Sequence, residues 1–283
     1  MTLDLPSRER FFAALQVAGM PRPGEFSVAW GHQVVSAAML AEIAGFIGVF
    51  DAVTSREVWR AAALRDAPAI AKARRREVCF FSAWDFHCPP GGGFQLIEFN
   101  DNGSGFLYAA IVNALYYEAA RLPRDDAIAP PAAIAAFRQT IADMVEREAT
   151  AFFGERPAEL LLVLDGADSL RAGKFRGELA LLRDLLRERG WRAELGSPAE
   201  TRWDGRRLVF DGRPVAFVVN RSTDFFWSAE EFAALRNAYE MGSVYAAPNP
   251  FTYSTRSDKR LLEWLSSPLW DDDLAIGAAE RSV

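Results

Sequence analysis

Five apolar residues in succession, Leu160 to Leu164 (LLLVL), constrain this chain more than any other stretch. A strand that is apolar at every position has to be covered on both faces, as in a parallel sheet lined by helices. The next thirty residues meet that requirement. Beyond a loop at Asp165 to Gly173, a helical stretch from about Lys174 to Glu188 carries Leu179, Leu182, Leu185 and Leu186 on one side. Gly190 ends it and Trp191 to Leu195 reads as the next strand, completing a βαβ unit. Asp204-Gly205 and Asp211-Gly212 mark two tight turns around Leu208 to Phe210. Ala216 to Asn220 is a further buried strand. Ser228 with Glu231 has the capping-box pattern of a helix running to about Gly242, and Val244 to Ala247 is a last short strand. The fold class expected over residues 156–250 is α/β: a Rossmann-like domain with an inserted β-hairpin.

The first 155 residues read instead as a mainly helical region, packed on that domain. Ser7 is placed to cap a helix with Phe11, Leu15 and Ala18 on one face, closed by Gly19 and Pro21. Ser55 is placed to cap a second, through Val58, Trp59 and Leu64 to Pro68. Gly105 to Leu122 is apolar nearly all round, the mark of a buried helix. Pro130-Pro131 opens another, with Ile134, Phe137, Ile141 and Val145 at helical spacing. Two strands, Glu77 to Ala83 and Phe94 to Asn100, interrupt this pattern and pair across Gly91 to Gly93.

Charge and composition remove several function classes. A net charge of −6 leaves no basic footprint for nucleic acid. The one dense positive run, Lys72 to Arg76, falls at the end of a helical stretch, where cations suit the macrodipole. The N-terminus lacks the apolar core of a signal peptide, and no unbroken run of about 18 apolar residues predicts a membrane span. Cys79 and Cys88 are too few for a disulfide framework, so free thiols and a cytoplasmic location are expected. Gly91 to Gly93 precede a strand, whereas a phosphate cradle comes after one. Near Gly173-Lys174, Asp168 and Phe175 stand where a Walker A motif needs glycine and a hydroxyl residue, although the loop before it could still hold an anion. Cys79, His87 and Cys88 match no zinc spacing, and His32 and His87 are the only histidines available to a triad. No metal ligand or cofactor-binding residue is assigned; Asp271 to Asp273 read as a solvated turn.

Three motifs remain. In Glu98 to Gly105 (EFNDNGSG) a strand ends in Asn100, Asp101, Asn102 and Ser104, immediately before an apolar helix. Those side chains suit a helix cap, yet they outnumber what one cap needs, and strand C-termini are where open α/β sheets place ligands. Asn220 to Asp224 (NRSTD) again comes after a buried strand; Arg221 could fork onto a carboxylate or phosphate, or pair with Asp224 to stiffen the loop. Third, Ala247-Pro-Asn-Pro250 is a stiff connector into Ser257 to Leu265 (SDKRLLEWL), a short amphipathic helix with Ser257 at its cap.

Taken in order, the second and third motifs resemble the ATP-grasp superfamily, in particular its glutathione-synthetase-like members. There a Rossmann-like preATP-grasp domain ends in an Arg-bearing strand, then a helix, a strand, an Asn-Pro connector and a helix beginning Asp-Lys or Glu-Lys. The corresponding stretches are FVVNRSTDFFW, the helix from Ser228, VYAAPNP and SDKRLLEWL. RRLVFDGRPV is similar to the hairpin before that strand, and LIEFNDNGSG to the strand-plus-Asn element of glutathionylspermidine-synthase-like ligases. The resemblance covers roughly residues 157–265 with Glu98 to Gly105 as an outlier.

It implies three segments: residues 1–155 on the substrate side, a preATP-grasp domain at 156–250, and a connector with the first helix of an incomplete ATP-grasp domain at 251–283. It also implies a carboxylate–amine ligase that activates a carboxylate as an acyl phosphate for attack by an amine. Asn100, Asp101, Asn102, Ser104, Arg221 and Asp224 would line the substrate side, for a small-molecule carboxylate or amine. Lys259 would mark the domain junction without a catalytic role. The lysine strand, Gly-rich flap and magnesium ligands of the family have no counterpart after Lys259, so MgATP is expected only for a complete member. The alternative is a non-catalytic ligand-binding or scaffold module, with a homo-oligomer or a separate ATP-domain partner left open; an apolar face exposed at Leu261, Leu262, Trp264 and Leu265 would favour a partner. An unrelated Rossmann-like enzyme is disfavoured by the lack of G-x-G-x-x-G at the Leu160 strand.

Overall fold

A computed structural model describes residues 4–20, 27–29, 31, 35–73, 81–89, 92–121 and 130–282. In chain order its helices are α1 (Leu5–Val17), α2 (Ala37–Thr54), α3 (Glu57–Leu64), α4 (Ala69–Lys72), α5 (Phe106–Ala119), α6 (Pro130–Phe153), α7 (Ala167–Ala172), α8 (Arg176–Glu188), α9 (Ala233–Glu240), α10 (Pro250–Thr252), α11 (Leu261–Ser266), α12 (Asp271–Leu274) and α13 (Ala278–Arg281). The strands are β1 (Ala83–His87), β2 (Gln95–Asn100), β3 (Leu160–Leu164), β4 (Ala193–Gly196), β5 (Thr201–Trp203), β6 (Leu208–Phe210), β7 (Arg213–Asn220) and β8 (Tyr245–Ala247). By contacts the chain divides into two compact units of interleaved stretches, unlike the contiguous segments expected from sequence. The first comprises residues 1–33, 104–222 and 231–246; the second comprises 34–103, 223–230 and 247–283.

The first unit is α/β with a mixed sheet ordered β4-β3-β7-β6-β5, and β8 also pairs with β7. Strand β3 is parallel to both β4 and β7, and β5, β6 and β7 are joined antiparallel. Every residue of β3 is buried, as its unbroken apolar run demands. Helix α8 links β3 to β4 and buries Leu179, Leu182, Leu185 and Leu186. The inserted hairpin is present. Asp211 and Gly212 turn it between β6 and β7 with φ of 49° and 72°, the paired positive values of a type I′ turn. Trp191, Phe217 and Tyr245 pack ring against ring beneath the sheet, joined by Phe152 from α6. On α1, Phe11 and Leu15 are buried with Tyr108, Ile111 and Tyr116 of α5.

The second unit holds α2 to α4, the β1–β2 hairpin and the C-terminal helices. Trp59 is wholly buried; its indole donates to the carbonyl of Thr255 at 2.8 Å and its ring meets Trp264 edge-on. Leu261 is buried, and the partly buried Trp264 and Leu265 pack with Trp59, Val53 and Leu274; Leu262 is half-buried and lies outside that cluster. Trp84 and Phe99 from the hairpin stack at 4.5 Å against Phe50 of α2.

Several expectations are corrected. Of the strand expected at Glu77 to Ala83, the described residues Phe81 and Ser82 lie outside any strand, and β1 runs Ala83–His87, where Trp84 and Phe86 alternate with Asp85 and His87 and face Phe46 and Phe50. The first residues of the expected strand, with Cys79, His32 and Arg74 to Arg76, lie outside the described residues. Helix α1 is capped by Asp4 rather than Ser7, whose amide it accepts at 2.9 Å. Ser55 ends α2, and α3 starts after Arg56 with no side-chain cap. The capping box at Ser228 does not form: a 3₁₀ turn at Glu230–Phe232 leads into α9, and Asp224 takes the amide of Ala229. Among the described residues one helix, α2, is long and apolar enough to cross a membrane by length and composition. Glu42 and Asp51 interrupt its apolar run, which is why the sequence predicts no span there.

Candidate functional site

The sequence-predicted residues fall in both units: Ser104 and Arg221 in the first, Asn100, Asp101, Asn102 and Asp224 in the second.

In the first unit the chemistry centres on Arg221, directly after β7 and beside the end of β3, whose Leu164 carbonyl accepts the Arg221 amide at 2.8 Å. Its guanidinium is buried and its partner is Glu178 of α8, not Asp224. Nη2 donates to Oε2 at 3.1 Å, with both side chains only 1% exposed. Among the described residues Nε and Nη1 have no hydrogen-bond partner, and Phe106 lies under the guanidinium with its ring centre 5.0 Å away.

Glu178 has a second task. Oε2 accepts from the amide of Gly105 at 2.8 Å, and Oε1 from those of Leu107 at 2.7 Å and Tyr108 at 3.4 Å. A carboxylate on α8 therefore satisfies the orphan amides at the start of α5 and complements its dipole. The Asn, Asp and Ser cluster before α5 does not cap it. Its N-cap is Gly105 at φ 90°, a left-handed position that glycine adopts without strain, and Ser104 is exposed.

Asp165 comes directly after β3 and accepts from the Gly166 amide at 2.7 Å. Burial raises its carboxyl above the ordinary range, against the pull of that bond and of Arg221. Burial likewise lowers the pKa of Arg221, while Glu178 and Asp165 favour its charge. The expected loop between β3 and α8 contains α7. A buried cation with two idle nitrogens and one shared carboxylate can accept an anionic group.

In the second unit two separately noted motifs meet. Strand β2 places Glu98 opposite Asp85 of β1, like charges across a pair. Lys259 forms an ion pair with Glu98 Oε2, and the side-chain amide of Asn100 donates to Oε1 at 3.1 Å. These two contacts, Lys259 first, hold the Glu98 carboxyl below the ordinary range. Asp101 and Asn102 are buried. The Ser257 hydroxyl donates to Asp101 Oδ2 at 2.8 Å, so Ser257 pins the turn after β2 instead of capping a helix; α11 begins at Leu261. A π-helical turn, Tyr253–Ser257, carries both Ser257 and Arg256, the latter ion-paired to Asp51. Burial pushes the Asp101 carboxyl up to about 6, with Ser257 and Arg256 pulling it back.

Among the described residues no group of three His, Cys, Asp or Glu side chains is arranged to hold a metal ion. Asp271 of the acidic triplet is ion-paired to Arg281 and all three residues lie in the first turn of α12.

Sequence reasoning missed Glu178. Its signal was legible: it sits four and seven positions before Leu182 and Leu185, on the apolar face of an otherwise conventional helix. Asp165 and Glu98 open stretches that the sequence does single out, but the charges they meet, Arg221 and Lys259, are distant in sequence. Neither protein-family models nor curated protein sequences yield a match to this chain.

Proposed function

We propose that this chain carries the substrate side of an ATP-grasp carboxylate–amine ligase, built on a Rossmann-like preATP-grasp domain. The observation that carries the reading is Arg221. It stands at the carboxyl end of β7, beside the end of the parallel strand β3, with Nε and Nη1 unpartnered and Phe106 beneath it. Ligands of open α/β sheets collect beyond the carboxyl ends of such strands. A guanidinium with spare donors suits a carboxylate, and its planar fork orients one. The order of elements supports the same reading: a parallel βαβ unit, a hairpin, an Arg-bearing strand, a helix, a strand and an Asn-Pro connector.

In such a ligase MgATP supplies the phosphoryl group that activates the carboxylate. The part proposed for this chain is to bind that carboxylate and fix its orientation. Glu178 keeps Arg221 charged and holds its Nη2, which leaves the other nitrogens for the ligand. Because Arg221 is closed to solvent here, binding requires a local opening at the strand ends.

Titration calorimetry with a panel of small carboxylates, amino acids and dicarboxylates included, tests the reading. At least one is expected to bind, and Arg221→Lys, which keeps the charge and loses the fork, is expected to weaken it at least tenfold while the far-UV spectrum is unchanged. Equal affinity in the variant would overturn it. Taken alone the chain is expected neither to shift its melting temperature with MgATP nor to release ADP; a shift of several degrees with ADP formation would show that it is a catalyst in its own right.

A further inference from the structure

Within the first unit, α1, α5, α6 and α8 leave an open cavity of about 470 Å³. It is lined by Leu107 and Ile111 of α5, by Ala14 of α1 and Ala18 directly after it, and by Ile134 and Phe137 of α6. Its volume lies in the range of small-molecule sites, and its lining is apolar as theirs is. Alanines at positions 14, 18 and 110 keep it open where leucines would close it.

Two charged residues border this apolar space, Arg138 and Glu118. Arg138 is committed: its Nη2 pairs with Glu188 of α8 at 2.7 Å. Glu118 is exposed, and its carboxylate has no side-chain partner among the described residues. Among the described residues the uncompensated charge at the cavity is therefore negative. A carboxylate head would meet repulsion from Glu118 and an arginine already neutralised, whereas a protonated amine would meet an unpaired carboxylate beside an apolar bed.

We propose that this cavity binds an apolar primary amine, its aliphatic or aromatic body between α1, α5 and α6 and its ammonium against Glu118. The proposal does not depend on the ligase reading: of its residues Leu107 alone touches the Arg221 cluster, through the amide that bonds Glu178, and neither Arg221 nor Glu178 lines the cavity.

The test is calorimetric titration of the full chain with three ligands of matched body: 4-phenylbutylamine, 4-phenylbutanol and 4-phenylbutanoate. The amine is expected to bind most tightly, about fivefold better than the alcohol, as one exposed ion pair allows. That margin should shrink in high salt. Glu118→Gln, a change at an exposed position, is expected to bring the amine down to the alcohol and leave the alcohol unchanged. Ala110→Leu, which fills the cavity, is expected to weaken all three at least tenfold. Tighter binding of the carboxylate, an amine preference that survives Glu118→Gln, affinities indifferent to Ala110→Leu, or no binding of any of the three would each overturn the proposal. Failure here leaves the Arg221 reading untouched, because that reading is measured with carboxylates and with Arg221→Lys.

Discussion

Single side chains carry most of the account. Glu178 serves the amides of α5 and the guanidinium of Arg221 at once, in a place where neither charge meets water. Removing one partner of a buried pair strands the other. Glu178→Ala is therefore expected to cost about 3–5 kcal/mol in urea unfolding, and Glu178→Gln, which keeps an acceptor for the amides, visibly less. A loss under about 1 kcal/mol for the alanine variant would mean that the pair is idle. Glu148 of α6 is a different kind of buried acid. It accepts from the Tyr245 hydroxyl at 2.6 Å, its other oxygen is unpartnered, and burial raises its pKa from 4.5 to about 7. A folded value above the unfolded one gives stability that is complete below pH 4.5 and is lost as pH rises through 7. At about 1.4 kcal/mol per unit the loss is on the order of 3 kcal/mol, and Glu148→Gln should flatten the melting temperature between pH 5 and pH 8. An unchanged pH profile in the variant would refute that assignment.

At the scale of elements, what was legible in the sequence was what depends on local pattern. The LLLVL strand, the leucine face of α8, the Asp-Gly turn and the Pro130 start of α6 all appear where periodicity and turn chemistry put them. What was not legible depends on distant partners. Ser257 has the local look of a cap, yet its hydroxyl goes to Asp101, which is 156 positions away. The cap of α5 comes from Glu178, 71 positions from Leu107. Helix α2 escaped notice because Glu42 and Asp51 break its apolar run and its two glycines weaken helical propensity. At the candidate site the sequence left Arg221 either free for an anion or paired with Asp224, and its partner is Glu178; the links of Glu98 to Lys259 and of Asp101 to Ser257 were not legible. The sheet supplies a test of its own. A methyl group on Gly196 of β4 would overlap the Phe210 ring of β6. Gly196→Ala is expected to destabilise by about 1–3 kcal/mol by overpacking, with a lower midpoint in urea and an unchanged slope. Lys259→Ala, by contrast, removes an exposed partner of Glu98 and should leave the melting temperature where it is.

On the scale of the whole molecule, each compact unit draws on several separate stretches of chain. A cut at residue 155 divides the first unit between α6 and β3, and takes from the sheet the helix whose Phe152 stacks on Tyr245 at 4.4 Å. A fragment of residues 156–250 is accordingly expected to show no cooperative melt and a poorly dispersed amide spectrum; a sharp transition would mean that the contiguous segment is a domain by itself. The buried guanidinium of Arg221 has two nitrogens without a hydrogen-bond partner among the described residues, and their proposed ligand is a substrate carboxylate. The arginine Nε–H signals observed by NMR test that central claim most directly, with the Arg221 signal identified by its loss in Arg221→Lys. Addition of a binding carboxylate is predicted to move that one signal saturably, at the midpoint given by calorimetry. If it stays in place while the carboxylate binds, the ligand sits elsewhere and the claim fails.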